Sequence, residues 1–442
     1  MCLIKLTLLG LAWISVEGVH AENLVQVYQQ ATEADPTLKS ADAQVEIVSA
    51  QKGQALGQLL PQISGSANWS ENKQTVNARN GGQSVESNYP GTRFYVSLNQ
   101  SIIDFAKFWN WRRSQEVETQ FELQRKAAQQ TSMYNVVERY FIVLEAEDQL
   151  KFLQTELAAT QSQFQQTQKQ YSKQLVKVTD VYEVEARLDR IQADIIEAES
   201  LVSSAKQALR ELTNINNPHL YTLKEEIEYK ELEGKLEDWI QVALSDNPAL
   251  AALHKAIDAA DSDVAAQKSK HLPVVDLQLN YYNTDTGFQS TRTPEIQTQV
   301  AAINVNVPIF SGGTTTQQVF EAQSRLALSK HEDEAKLREI VKETSDAFLT
   351  SNANVKRIKA SMKALESAQK AHKAMDISYK YGVATIGEVL VTQQAEFKAK
   401  RDLAQSKYSY IKNRFRFLQA IGTINEDNIH EANDWLAPST GN

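Results

Sequence analysis

Cysteine is nearly absent from this sequence. The only one among 442 residues is Cys2, so disulfides hold none of the chain beyond its extreme N-terminus. Proline and glycine are scarce as well, 9 and 16 in all, and residues 105–217 contain neither. Several compact domains would need more turn residues than this, so the expected shape is elongated. An excess of positive charge is also missing. The 46 Lys and Arg are interspersed among 55 Asp and Glu for a net charge of -9, which offers no basic face to nucleic acid. No apolar run reaches the roughly 20 residues of a membrane-crossing helix. The one clear run, 6–14, follows Lys5 and precedes the small-residue site Val19-His20-Ala21. Residues 1–21 therefore read as a secretory signal peptide cleaved before Glu22. Cys2 lies at the wrong end of that segment to accept a lipid at the cleavage site.

Catalytic and metal-binding patterns are missing too. His219, His254, His271, His331, His372 and His430 show no ligand spacing, and His331-Glu332 is followed by Ala335 where a zinc-protease helix needs a second histidine. Ser203-Ser204-Ala205-Lys206 contains Ser-x-x-Lys without the companion motifs of that chemistry. No phosphate-binding loop exists. An enzyme is not expected, and no cofactor is implied.

What the sequence has is heptads. Leu188, Ile191, Ile195, Ala198, Val202, Ala205, Leu209 and Leu212 step by threes and fours, the seam of a coiled coil rather than the wider stripe of a globular helix. As one straight helix, residues 105–217 would span about 170 Å at about 1.5 Å per residue. The segment must fold back or protrude, and it needs partner helices.

The chain is also two copies of one unit. Asp35-Pro36, Leu60-Pro61 and Asn68-Trp69 recur in order as Asn247-Pro248, Leu272-Pro273 and Asn280-Tyr281. Phe141, Tyr171 and Asp180-Val181 recur as Phe348, Tyr379 and Glu388-Val389. Each copy reads as an opening helix (23–59 and 236–270), two strands, a long helix, a turn and a shorter helix. Proline stops each opening helix at its Leu-Pro pair. The period then becomes two. Ile63, Gly65, Ala67 and Trp69 alternate with polar residues, as do Phe94, Val96 and Leu98, then Val275, Leu277, Leu279 and Tyr281, then Ile303, Val305 and Val307. Strands of about ten residues suit a tilted membrane strand, with polar loops expected at 71–92 and 284–295. Four strands cannot close a membrane barrel, so copies of the chain must complete it. Phe94, Val96, Leu98, Ile303, Val305 and Val307 are expected toward lipid, and Asn99, Asn304 and Asn306 toward a lumen. Phe105, Phe108, Trp109 and Trp111 fit an interface belt or packing where helix meets sheet. Gly382 and Gly387 mark the turn of the second long hairpin and place the hidden turn of the first at 172–179.

The expected division is a signal peptide (1–21), a first repeat (22–217), an equatorial linker (218–235), a second repeat (236–422) and an equatorial tail (423–442).

Several segments carry a resemblance: Ala21-Glu22-Asn23-Leu24, Leu60-Pro61-Gln62, Val307-Pro308-Ile309-Phe310-Ser311-Gly312-Gly313, and the run from Tyr379 through Gly382 and Gly387 to Leu390. The chain resembles the TolC family of outer-membrane efflux proteins over nearly its whole length, with most of that family's long C-terminal tail missing. The resemblance implies a mainly α protein with membrane β-structure. A homotrimer would close a 12-stranded barrel in outer-membrane lipid and continue it as a periplasmic 12-helix barrel of coiled-coil hairpins. It implies an exit duct for drugs, small toxic molecules and secreted proteins, working with a periplasmic adaptor and an inner-membrane transporter in efflux or type I secretion. Among this chain's residues it implies Glu388 in an acidic ring at the periplasmic entrance, thinned because Val391 stands at the second acidic position. It implies an entrance latch from Asp180 and Tyr379, with Ala384 replacing the family's arginine and Gln174 replacing a glycine. The adaptor-facing tips would be Leu175, Val176 and Thr179 in the first turn and Gly382, Val383, Ala384 and Thr385 in the second. The alternative is an exported coiled-coil scaffold without a pore.

Overall fold

A computed structural model describes residues 21–77, 83–216, 218–285 and 295–438. Nearly all of the expected signal peptide and the last residues of the tail lie outside them. In chain order the elements are α1 (Leu24–Ala34), α2 (Pro36–Gly57), β1 (Gln62–Val76), β2 (Val85–Ile103), α3 (Phe105–Ser172), α4 (Val178–Thr213) and β3 (Thr222–Leu223). There follow α5 (Leu236–Asp246), α6 (Pro248–Ser269), β4 (Val274–Asp285), β5 (Ile296–Asn306), α7 (Thr314–Lys380), α8 (Ile386–Ala420), α9 (Glu426–Asn433) and β6 (Leu436–Ala437). The repeat is visible at once: two helical pieces, two strands, a long helix, a turn and a shorter helix, twice.

One expectation fails in both copies. Each opening helix is broken in two, at Asp35 and at Asn247, rather than running unbroken to the Leu-Pro pair. The residue before a proline is pushed out of the helical region. Asp35 (φ -61°, ψ 113°) and Asn247 (φ -69°, ψ 114°) have gone to extended geometry accordingly. Both then serve the next helix. Asp35 Oδ1 accepts the Thr37 N–H at 2.8 Å, and Asn247 Oδ1 accepts the Ala249 and Leu250 N–H groups at 3.0 and 3.3 Å.

The long helices are 68 and 67 residues, on the order of 100 Å. Their shorter partners have 36 and 35. Along α4 the buried side chains include Val184, Ile191, Ala198, Ala205 and Leu212, spaced a heptad apart, the coiled-coil signature of that helix. None of the described helices is long and apolar enough to cross a membrane.

Compactness groups the chain across the repeats. One unit, Lys39–Ala128 with Val242–Lys342, contains the main sheet. Its strand order is β1-β2-β4-β5, every pair antiparallel. The register places Gly65 opposite Val96 and Val96 opposite Tyr281, and it sets Ala67 against Phe94 and Val275 against Val305. These residues share one face. Trp69 meets Phe94 edge-on there at 5.8 Å, and Trp69, Ile303 and Val305 are 69%, 67% and 62% exposed. The other face is polar. Ser64 and Ser97 hydroxyls bond at 2.8 Å, and Asn304 Nδ2 donates to Gln278 Oε1 at 3.0 Å.

The loop expected at 71–92 is instead mostly strand. β1 and β2 pair out to Val76 and Val85, while β4 pairs with β2 only as far as Asp285 opposite Thr92. That outer stretch has no apolar alternation to announce it. Backbone pairing and ion pairs such as Lys73 to Glu86 hold it instead.

The other unit comprises residues up to Leu38, Gln129–Gln241 and Glu343 onward. Its core joins Leu24, Tyr140, Phe141, Leu209, Tyr408 and Phe415. The linker and tail meet in this unit, because β3 pairs with β6 and Leu24 N–H donates to Asn433 Oδ1 at 3.1 Å.

Candidate functional site at the hairpin turns

The two long hairpins turn in a similar way, and two of their backbone bonds correspond directly. In the first, Gln174 N–H donates to the Tyr171 carbonyl at 2.8 Å and Leu175 N–H to that of Gln170 at 3.0 Å. In the second, Gly382 N–H donates to Tyr379 at 2.9 Å and Val383 N–H to Ser378 at 2.9 Å. Adding 208 to each residue of the first set gives the second. Helices commonly end this way, with one residue at positive φ, usually glycine. Gly382 (φ 75°) fits that preference, whereas Gln174 (φ 61°) adopts the same conformation with a side chain.

After each turn an acid caps the returning helix. Asp180 Oδ2 accepts the Lys177 N–H at 3.1 Å. Glu388 Oε2 accepts the Thr385 N–H at 2.7 Å and its hydroxyl at 2.9 Å, while Thr385 Oγ1 receives the Glu388 N–H at 3.3 Å. This reciprocal arrangement satisfies donors that a helix start leaves free. The Thr385 backbone N–H, then its hydroxyl, hold the Glu388 carboxyl below the usual carboxylate range.

The bond expected between Tyr379 and Asp180 is not formed. Tyr379 Oη donates to Gln170 Oε1 at 3.0 Å, and the Asp180 carboxylate is engaged with its own helix start. The two groups still sense each other, since burial first and the charge of Asp180 second push the Tyr379 phenol up. Around Tyr379 lies a small apolar cluster of Val184, Ile386, Val389 and Leu390 with Phe164 and Met375. Gly387 fits here for lack of a side chain, as a Cβ would come within 3.0 Å of Glu183 Oε2. Gln170 and Glu183 were not legible as site residues, because neither stands in a motif.

The tips themselves face solvent. Leu175 is 70% exposed and Tyr381 and Val383 are each 82% exposed. Val176, Ala384 and Thr385 lie in the same turns, Thr179 stands in the first turn of α4, and Val391, one helical turn beyond Glu388, is also exposed.

Two long helical hairpins and a four-stranded antiparallel sheet with one exposed apolar face define a channel-type fold. Known proteins agree. A family described as "Outer membrane efflux protein" matches residues 27–214 and 239–423, one stretch in each repeat. The chain is 29% identical to the Outer membrane protein TolC of Escherichia coli (strain K12), over 98% of this chain and 88% of that one. It is 26% identical to the Alkaline protease secretion protein AprF of Pseudomonas aeruginosa, over 93% and 87%. Among solved structures it superposes on the Campylobacter jejuni CmeC outer membrane channel with a TM-score of 0.81 at 18% identity, over 99% and 98% of the two chains. The chain belongs to the outer membrane efflux protein family.

Proposed function

We propose that three copies of this chain form the exit duct of a tripartite efflux or type I secretion machine. Twelve strands would close a barrel in outer-membrane lipid and twelve helices would continue it into the periplasm. The observation that carries this reading is the sheet. Its apolar face is open, and the outer edges of β1 and β5 pair with no strand among the described residues. Backbone edges are not tolerated in lipid, so a sheet of this kind needs copies of itself on both sides. Relatives named for efflux and for protease secretion support a cargo range that extends to proteins.

In this reading repeats 22–217 and 236–422 each contribute one hairpin and two strands, while 218–235 and 423–442 pack at the equator. The exposed tips, with Leu175, Val176, Thr179, Gly382, Val383, Ala384 and Thr385, would dock a periplasmic adaptor that links the duct to an inner-membrane transporter. Glu388 would form an acidic ring from three chains and favour cations. Tyr379 would latch the mouth through Gln170, with Asp180 adding its charge. The chain would carry no catalysis of its own.

Fractionation and planar-bilayer recording test this together. A heat-modifiable trimer in the outer membrane that conducts ions is the expected result, and a soluble periplasmic product without conductance would leave the pore-free scaffold. Reversal potentials of Glu388→Ala trimers test the ring: lost cation preference supports it, and unchanged selectivity removes it.

A further inference from the structure

The polar face of the main sheet carries almost no charge. Side chains alternate along a strand, so the register gives this face the even positions of β1, the odd ones of β2 and the even ones of β4 and β5. Serine, threonine, asparagine and glutamine fill most of them, and among these strand residues Arg93 and Asp276 are the only charged ones. Asp276 is engaged. Its Oδ1 accepts the Ser101 hydroxyl at 2.9 Å, and Lys107 Nζ donates to that same hydroxyl. Arg93 is exposed and has no ion pair or side-chain hydrogen bond among the described residues. Asp276 lies opposite Ser101, eight residues along β2 from Arg93 and so roughly 26 Å away, too far to neutralise it in water.

Beside Arg93 the face turns aromatic. Tyr95, the next residue of β2 on this side, lies opposite Tyr282 of β4. Their rings stack with centroids 4.9 Å apart and planes tilted by 30°, and Tyr95 Oη donates to Asn280 Oδ1 at 3.4 Å. Both rings are half-buried, so each keeps an open side. A cross-strand aromatic pair adds to sheet stability by itself, but sheet stability does not call for a bare guanidinium two residues away, roughly 7 Å along the strand. Open ring faces accept a flat aromatic solute by stacking. An unpaired guanidinium accepts a carboxylate or sulfonate through its planar fork. A solute with both features meets both partners at once. An aromatic cation would find the rings but be repelled by Arg93, and an aliphatic anion would find the charge without the rings.

We propose that Arg93, Tyr95 and Tyr282 form a binding site for flat aromatic anions on the polar face of the sheet. The site itself needs only this face. Its position on the path of a cargo rests on the duct reading, in which three copies would ring the lumen near the loop end of the strands.

Equilibrium dialysis of naphthalenesulfonate against the detergent-solubilised full chain, with detergent alone as the blank, reads the site. The parent is expected to bind this anion more tightly than naphthylmethylammonium and more tightly than hexanesulfonate. Arg93→Gln should weaken naphthalenesulfonate binding by roughly fivefold, as for loss of one exposed charge contact, and should not weaken that of the aromatic cation. Tyr282→Leu should weaken naphthalenesulfonate and leave hexanesulfonate as in the parent. Because that variant also alters packing in the sheet, Arg93→Lys is the second measure: a lysine keeps the charge without the fork and should fall between the parent and Arg93→Gln. Parent binding no greater than the detergent blank would overturn the proposal, as would Arg93→Gln binding equal to the parent's. In planar bilayers the same anion should interrupt the parent's current and interrupt that of Arg93→Gln less. Binding in dialysis without interruption of the current would retain the site and count against this face lining a pore.

Discussion

Gln174 and Gly382 occupy one conformation in two turns that share two corresponding backbone bonds, so comparing them bears on the cost of a side chain at positive φ. That cost is about 1–2 kcal/mol for a non-glycine residue, partly returned because glycine has more freedom to lose on folding. Gln174→Gly is therefore expected to stabilise the first turn by about 0.5–1 kcal/mol. Slower amide exchange over 171–177 would show it, and unchanged exchange would mean that the glutamine side chain makes up the difference. Glu388 offers a second test at this scale. Its carboxyl is lowered in the folded chain, so its contribution is complete above the ordinary carboxylate pKa and is lost as pH falls through the lowered value. The start of α8 should fray in acid and hold at neutral pH. Glu388→Gln should remove that pH dependence of exchange over 385–389, and a wild-type profile in the variant would contradict the cap.

At the scale of elements, the faces of the sheet invite a paired substitution. Val305 lies on the apolar face, opposite Val275, and Asn306 follows it on the polar one, opposite Val274. In a membrane barrel Val305→Arg should cost roughly 2–4 kcal/mol near the bilayer midplane while Asn306→Arg is tolerated. Trimer yield after urea titration in lipid would separate them, and equal yields would mean that neither face meets lipid. These faces were legible in the sequence because period two survives any tertiary context, and the heptads of α4 were legible for the same reason. The hidden turn was found only through its glycine-bearing copy. Three features escaped. The kinks at Asp35 and Asn247 were in plain view as Xaa-Pro pairs, but the helical periodicity on both sides masked them. The outer half of the first hairpin has polar residues on both faces and no alternation to read. Tyr379 turns its hydroxyl to Gln170 and not to Asp180, because which of two nearby polar groups a phenol reaches is decided by rotamers and not by spacing.

The whole molecule turns on its two open edges. If β1 of one chain pairs with β5 of the next, cysteines at Asn304 and at one of Ser64, Ser66 or Asn68 should link chains into a covalent trimer on a non-reducing gel. The only native cysteine, Cys2, lies ahead of every described residue and leaves the background clear. Failure at every register would sink this mode of closure. The same edges also set an order in time. The helical hairpins join segments adjacent in the chain, which is the quick kind of folding. The sheet must bring Thr92 to Asp285 across nearly two hundred residues, and until neighbours arrive it presents bare strand edges and an apolar face to water, a template for mispairing. A chain built this way is safest while its strands are still unmade. In detergent refolding, helical signal should come early at any dilution. Strand signal should come late, at a rate that climbs steeply with protein concentration, so the membrane part is finished by encounter and not by folding alone.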